Sequence, residues 1–278
     1  KTLATINVDA DIAYDFAQAG VGNFYTEEAY ILCKQLEFKN LLSRFEKDVT
    51  VTNSQTEDFR EITQLQEVES LFDACRQMGE QTGGTQEIGL AVFKDSTKKD
   101  SLMGIALAAA PKNVVFIPCQ GLVTGQYLCG KLSELNRDEL CKLYMFDSKN
   151  CYDVIEESLG QSMWRSADGA QDVLAPYRKK RYFDILVAAY LLNPLKNDYT
   201  VEDIAGEYLG LTIPDRGQVC GKASYVETYE AHPHEFMEFA CFHAYVCLMA
   251  APLLQEKLTF QGMASLMEEI EMPLTRVL

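Results

Sequence analysis

The chain has 278 residues, 47% of them hydrophobic and 24% charged, which suits one large domain or a domain with an appendage built around an ordinary globular core. A formal net charge of −16 argues against tight, autonomous binding to nucleic acid, because a protein that grips phosphates presents a basic stripe to them. No run of consecutive apolar residues approaches the ~18–20 that a membrane span needs, so no membrane partner is expected.

Nine scattered cysteines form no CxxC pair and no Cys/His cluster with zinc-ligand spacing, so they are expected to be free thiols in a reducing cytoplasm. The opening KTLATINVDAD has neither an initiator Met nor a signal-peptide core, and the expectation is a piece of a longer protein.

In chain order, residues 1–25 are polar and irregular. Thr26 is placed to cap a helix running to Glu46, with Glu27 and Glu28 at its positive end and Leu32, Leu36, Leu41 and Phe45 near one face. Residues 47–62 are low in core formers and read as a linker. Thr63 to Gln66 then has capping-box spacing, and the helix it starts turns Val68, Leu71, Phe72, Cys75 and Met78 inward and stops at Gly79.

Three short apolar runs, 88–93, 102–108 and 114–117, are separated by turn residues and predict a meander. A helix over 133–141, a strand over 143–146, a helix over 148–159 and a strand at 182–185 leading into a helix follow. Thr200 with Asp203 opens another helix ending near Gly210, and two longer helices, 234–257 and 262–278, finish the chain. A meander followed by alternating helices and strands predicts an α/β fold with a mixed sheet flanked by helices.

Several stretches, in order and at the right spacing, resemble the bacterial DNA polymerase I proteins. They are TLATINVDA, EEAYILCKQLEFKNLLSRF, YFDILVAAYLLNP, the Asp203–Leu209 helix, and LMEEIEMPLTRVL. The resemblance implies a ribonuclease H-like, proofreading-exonuclease fold over 63–278. Residues 1–46 would be the C-terminal tail of the 5′-nuclease region, 47–62 a linker, and the polymerase domain would follow the last helix. The implied partner is that polymerase domain of the same parent chain, with DNA met only through the parent.

Active members of that family cleave phosphodiesters with two metal ions about 4 Å apart. Hard divalent ions need oxygen ligands, supplied by Asp-x-Glu on the first strand, an Asp on a later helix, and Tyr-x-x-x-Asp on the last helical region. On the first strand the register chosen puts Val92 and Lys94 at the Asp-x-Glu positions. An ammonium there would repel an ion that a carboxylate attracts by about 8 kcal/mol at an effective dielectric near 20.

On the helix, Tyr152 falls where the Asp belongs, and Asp153, one residue late, is the candidate for a retained ligand. On the last motif Phe239 and His243 replace Tyr and Asp, and a lone His is a poor magnesium site. The expectation is a catalytically inactive domain with no cofactor.

Arg178, Lys179, Lys180 and Arg181, flanked by Tyr177 and Tyr182, are the one concentrated basic patch and the candidate DNA contact. His232 and His234 around Pro233 read as a helix start rather than a metal pair. Asp184 reads as a support of the fold, and Cys241 and Cys247 as core residues. The row Leu266, Ile270, Leu274 and Leu278 reads as a face that a neighbouring domain would cover.

Overall fold

The computed structural model describes residues 58–82, 84–95, 101–137, 140–159, 182–196 and 198–275, with positions 26, 29, 30, 32, 33, 36 and 38 before them. The basic patch at 178–181 and most of the 1–46 extension lie outside the described residues. Two compact units divide the chain, Lys1–Val51 and Thr52–Leu278. In the first, Thr26 Oγ1 accepts the Ala29 N–H at 3.3 Å and residues 29, 30, 32 and 33 are helical, as the capping signal predicts.

In the second unit the three apolar runs form β2 (Gln86–Asp95), β3 (Ser101–Ala110) and β4 (Asn113–Pro118), an antiparallel meander. Their residues are apolar on both faces, so they sit at the centre of a sheet covered on both sides. β5 (Cys141–Met145) pairs parallel with β2, and β6 (Tyr182–Asp184) parallel with β5.

The sixth strand, β1 (Phe59–Glu61), pairs parallel with β4 and closes the order β1-β4-β3-β2-β5-β6. It corrects the expected linker over 47–62. Phe59 and Ile62 are buried, and the Ile62 N–H bonds the Phe116 carbonyl at 2.9 Å, so two apolar side chains suffice to dock this polar stretch at the sheet edge.

On one face lie α1 (Leu65–Thr82), α2 (Gly125–Arg137) and α3 (Ser148–Leu159), in contact with one another and the sheet. α1 runs through Gly79, the expected stop. That glycine instead gives close approach, since a Cβ there would come within 2.8 Å of Leu140 Cβ. α2 starts earlier than expected because Thr124 Oγ1 accepts the Tyr127 N–H at 3.1 Å. α3 matches its expected span.

After β6 come α4 (Ile185–Leu192) and α5 (Val201–Ile204), which carries the Thr200–Asp203 capping box. A π-helical turn (Ala205–Leu209), α6 (Arg216–Val219) and α7 (Tyr225–Ala231) follow, then α8 (Pro233–Phe260). Pro233 takes the first turn of α8, where its missing N–H costs nothing, in agreement with the helix-start reading of His232 and His234.

The single last helix expected over 262–278 is instead α9 (Ala264–Leu266), a π-helical turn (Met267–Glu271) and α10 (Met272–Leu274). Met267 and Met272 turn inward there, while Ile270 and Leu274 are exposed. Leu278 lies outside the described residues.

α8 lies across the other face and touches β1 through β5. By length and composition it could cross a membrane, a property the search for unbroken apolar runs did not find. Within the fold 72% of its most apolar window is buried, as a central core helix requires. It comes so close to β2 that a Cβ on Gly89 would run into the Ala244 carbonyl oxygen and approach the Leu248 N–H. Gly89→Ala therefore forces α8 off the sheet and is expected to cost about 2–3 kcal/mol, read as a lowered midpoint in urea unfolding. An unchanged midpoint would mean that α8 is not held at this spacing.

Candidate functional site

β5 stops pairing with β2 at Met145, opposite Leu90, while β2 continues to Asp95. The last residues of β2 therefore have a free flank, bounded by the N-terminal turn of α3 and by α8. A crevice beyond the carboxyl end of a strand at such a switch point is where an α/β sheet usually places its ligands.

Alternation along β2 decides which side chains reach it. Phe93 faces α8, with ring centroids 5.5 Å from Phe236, 6.2 Å from Phe239 and 5.9 Å from His243. Ala91 and Asp95 share that side, and both are buried. Val92 and Lys94 take the opposite one, where Lys94 is exposed. The register that put Val92 and Lys94 in the site is thus corrected by one residue. The strand positions that meet His243's helix are Ala91 and Phe93, and the Lys94 ammonium does not enter.

The same one-residue correction applies on α3. Tyr152 is fully buried against Tyr182, with ring centroids 5.6 Å apart. The residue turned toward β2 and α8 is Cys151. Its thiol donates to the Phe146 carbonyl at 3.6 Å and lies beside the Val92 backbone and the Cys247 thiol. Burial pushes the Cys151 and Cys247 thiols well above the ordinary thiol range, with Asp184 adding to the rise, so neither is a ready thiolate. Asp153 follows two residues on, about 200° around the helix. Its side chain is outside the described residues. All nine cysteines are free thiols.

Asp184, expected to support the fold, does so at the junction beside Cys151. One carboxylate oxygen accepts the Leu186 and Val187 amides at 2.9 and 3.4 Å, capping α4, and the Asp147 amide at 3.2 Å. The other accepts the Ser148 amide at 2.7 Å, at the start of α3. Burial raises its carboxyl above the usual range, while the amides favour the charged form and oppose the rise. Asp147 sits at φ 55°, the left-handed region that Asp tolerates better than most residues, and its amide points at Asp184.

Tyr225 of α7 adds a further ring to Phe93 at 5.5 Å and lies 5.8 Å from Phe236 and 6.3 Å from Phe239. The Phe239 and His243 rings meet tilted, with centroids 4.4 Å apart. His243 Nε2 is buried, 3.8 Å from Glu202 Oε1 of α5. Burial lowers the imidazole to about 4, so it is neutral at pH 7 although a carboxylate stands near it.

Two-metal hydrolysis needs several oxygen ligands around one point. The crevice offers a methyl group, a phenyl ring, a neutral thiol and a neutral imidazole from Ala91, Phe93, Cys151 and His243. Asp95, the carboxylate at the crevice end of that side of β2, is buried and engaged within the protein, and Glu87 at the other end of the strand is bonded to the Tyr144 hydroxyl. Among the described residues no three His, Cys, Asp or Glu side chains are grouped to hold a metal ion. The donors that the described residues bring to the crevice do not fit divalent ions.

No family model and no curated protein matches the chain. Solved structures do. Escherichia coli RNase D, an exoribonuclease, matches at 16% identity and TM-score 0.57, over 79% of this chain and 50% of that one. The catalytic core of RRP6 from Trypanosoma brucei matches at 9% and 0.57, over 79% and 52%. The POL domain of Pol1 from M. smegmatis, in complex with DNA primer-template and dNTP, matches at 17% and 0.52, over 78% of this chain and 30% of that one. The fold is the ribonuclease H-like type of the 3′–5′ exonucleases, a mixed six-stranded sheet flanked by helices.

Two outcomes test the geometry. Asp184→Ala leaves four backbone amides without their acceptor and is expected to destabilise by about 3 kcal/mol in urea unfolding. Burial depresses the folded value of His243 from the ordinary 6.5 to about 4, so its contribution is present above the unfolded value and is lost as pH falls between the two. The loss is at most about 3 kcal/mol. The difference in unfolding free energy between wild type and His243→Phe should therefore shrink as pH falls from 7 to 4. A difference that stays flat with pH would contradict the buried neutral imidazole.

Proposed function

We propose that this chain is the 3′–5′ exonuclease-like domain of a bacterial DNA polymerase I, catalytically inactive, serving as a structural module beside the polymerase domain in replication and repair. The observation that carries the reading is the set Ala91, Phe93, Cys151 and His243. These residues stand at the four places where the fold converges, and none is an oxygen ligand. On this reading Ala91 and Phe93 take the Asp-x-Glu positions, Cys151 the helix Asp, and Phe239 with His243 the Tyr and Asp of the last motif.

The polymerase assignment is supported by YFDILVAAYLLNP, whose Asp184 is the buried junction described above, and by the Thr200-capped helix that follows it. The fold likeness to a polymerase I chain, of which the match covers 30%, agrees with it. Residues 1–46 would then belong to the preceding 5′-nuclease region, the polymerase domain would be the partner, and the whole would work in the cytoplasm. A net charge of −16 supports DNA being met through the parent polymerase rather than by this domain alone.

Calorimetric titration with Mn²⁺ and Mg²⁺, together with a 3′-labelled single-stranded DNA degradation assay, is expected to be silent in both parts. Metal binding accompanied by 3′ trimming, and lost in Asp153→Ala, would overturn the reading in favour of an active proofreading nuclease.

A further inference from the structure

The side chains in the crevice do more than omit ligands. Phe93 is buried with five rings around it: Phe116 from β4, Tyr225 from α7, and Phe236, Phe239 and His243 from α8. Phe93 pairs across the ladder with Gly104, and a Cβ at Gly104 would come within 3.1 Å of the Phe116 ring. The missing side chain is what lets Phe116 lie beside Phe93.

From the other side, Tyr229 of α7 reaches Phe116 at 5.6 Å and Phe236 at 5.9 Å. The Arg216 guanidinium of α6 lies 5.1 Å over the Tyr225 ring, and Glu202 of α5 reaches His243. Each of α5, α6 and α7 thus sends a side chain into one cluster, and all three pack on α8.

We propose that this cluster is an aromatic clasp that fastens the segment 200–231 over the end of β2, so that the crevice is permanently covered and β2, α7 and α8 are tied together without any ion. The inference rests on the crevice being non-catalytic, and it adds a present mechanical role for the residues that occupy it. Rings meeting edge to face attract one another beyond the area they bury, and a cluster of them resists the separation of its elements. The segment itself is a run of short helices joined by turns, so its hold on the sheet comes from side chains such as these.

Native-state hydrogen exchange on the full 278-residue chain tests the clasp. Tyr225→Ala is expected to speed exchange of the amides in 201–231 at least tenfold while amides of β2 to β5 stay within twofold. Tyr225→Phe, which keeps the ring, should restore wild-type protection. Addition of Mn²⁺ should leave the wild-type pattern unchanged.

If Tyr225→Ala loosens the whole sheet together, Tyr225→Leu, of similar volume without a ring, is measured in its place and judged by the same selective release. Wild-type protection of 201–231 in the ring-less variant would overturn the clasp, as would slowing of the segment by Mn²⁺ in the wild type. Nuclease activity would instead defeat the inactive reading, so the two failures are distinguishable.

Discussion

The architecture depends on how closely α8 lies on β2. At Gly89 there is room for a hydrogen and nothing larger, because the backbone of α8 at Ala244 and Leu248 occupies the space. That spacing is what lets a single 28-residue helix cover five strands and bring His243 down to the level of Phe93. It also explains the composition of α8: a helix buried nearly all round has no polar face, and its resemblance to a membrane span follows from that burial.

The crevice is held by packing rather than by charge. Carboxylates clustered around divalent ions need the ions, since like charges in a poorly solvated crevice repel. Uncharged groups have no such requirement. Burial keeps His243 neutral, so it behaves as one more ring against Phe239. Asp184 serves the fold in a different way, its carboxyl accepting four amides at the joint between β5–α3 and β6–α4.

Much of this was legible in the sequence, and the failures fall where no local signal exists. The meander, α3, the Thr200 capping box and the supporting role of Asp184 all carry local signals: turn residues between apolar runs, a capping pair, an acid before a helix. The register of β2 does not. Ile88 to Phe93 is apolar on both faces, so the period-two alternation has no polar side to fix which residues face α8, and a shift of one residue exchanges the faces.

Lys94 takes an Asp-x-Glu position only in the shifted register, and its exposure places it at the end of the other face. Tyr152 and Cys151 were exchanged for a similar reason, since both are buried and only their partners, Tyr182 and the Val92 backbone, distinguish them. β1 was missed because three residues in a polar stretch carry no periodicity, and its two docking side chains find their partners on β4 and α8. The aromatic cluster spans β2, β4, α7 and α8, and no local pattern announces contacts between residues so far apart in the chain.

The distance along the chain between the strands and α8 has a consequence for synthesis. The strands it covers are complete by Met145, yet α8 ends only at Phe260. At ~5–20 residues per second, the sheet's apolar face waits on the order of ten seconds for its cover to emerge from the ribosome. Ala91, Phe93, Ile105 and Phe116 all belong to strands made before that interval begins. A nascent chain of this design presents a broad, sticky and unpaired surface at a fixed stage of translation, until α8 arrives to cover it.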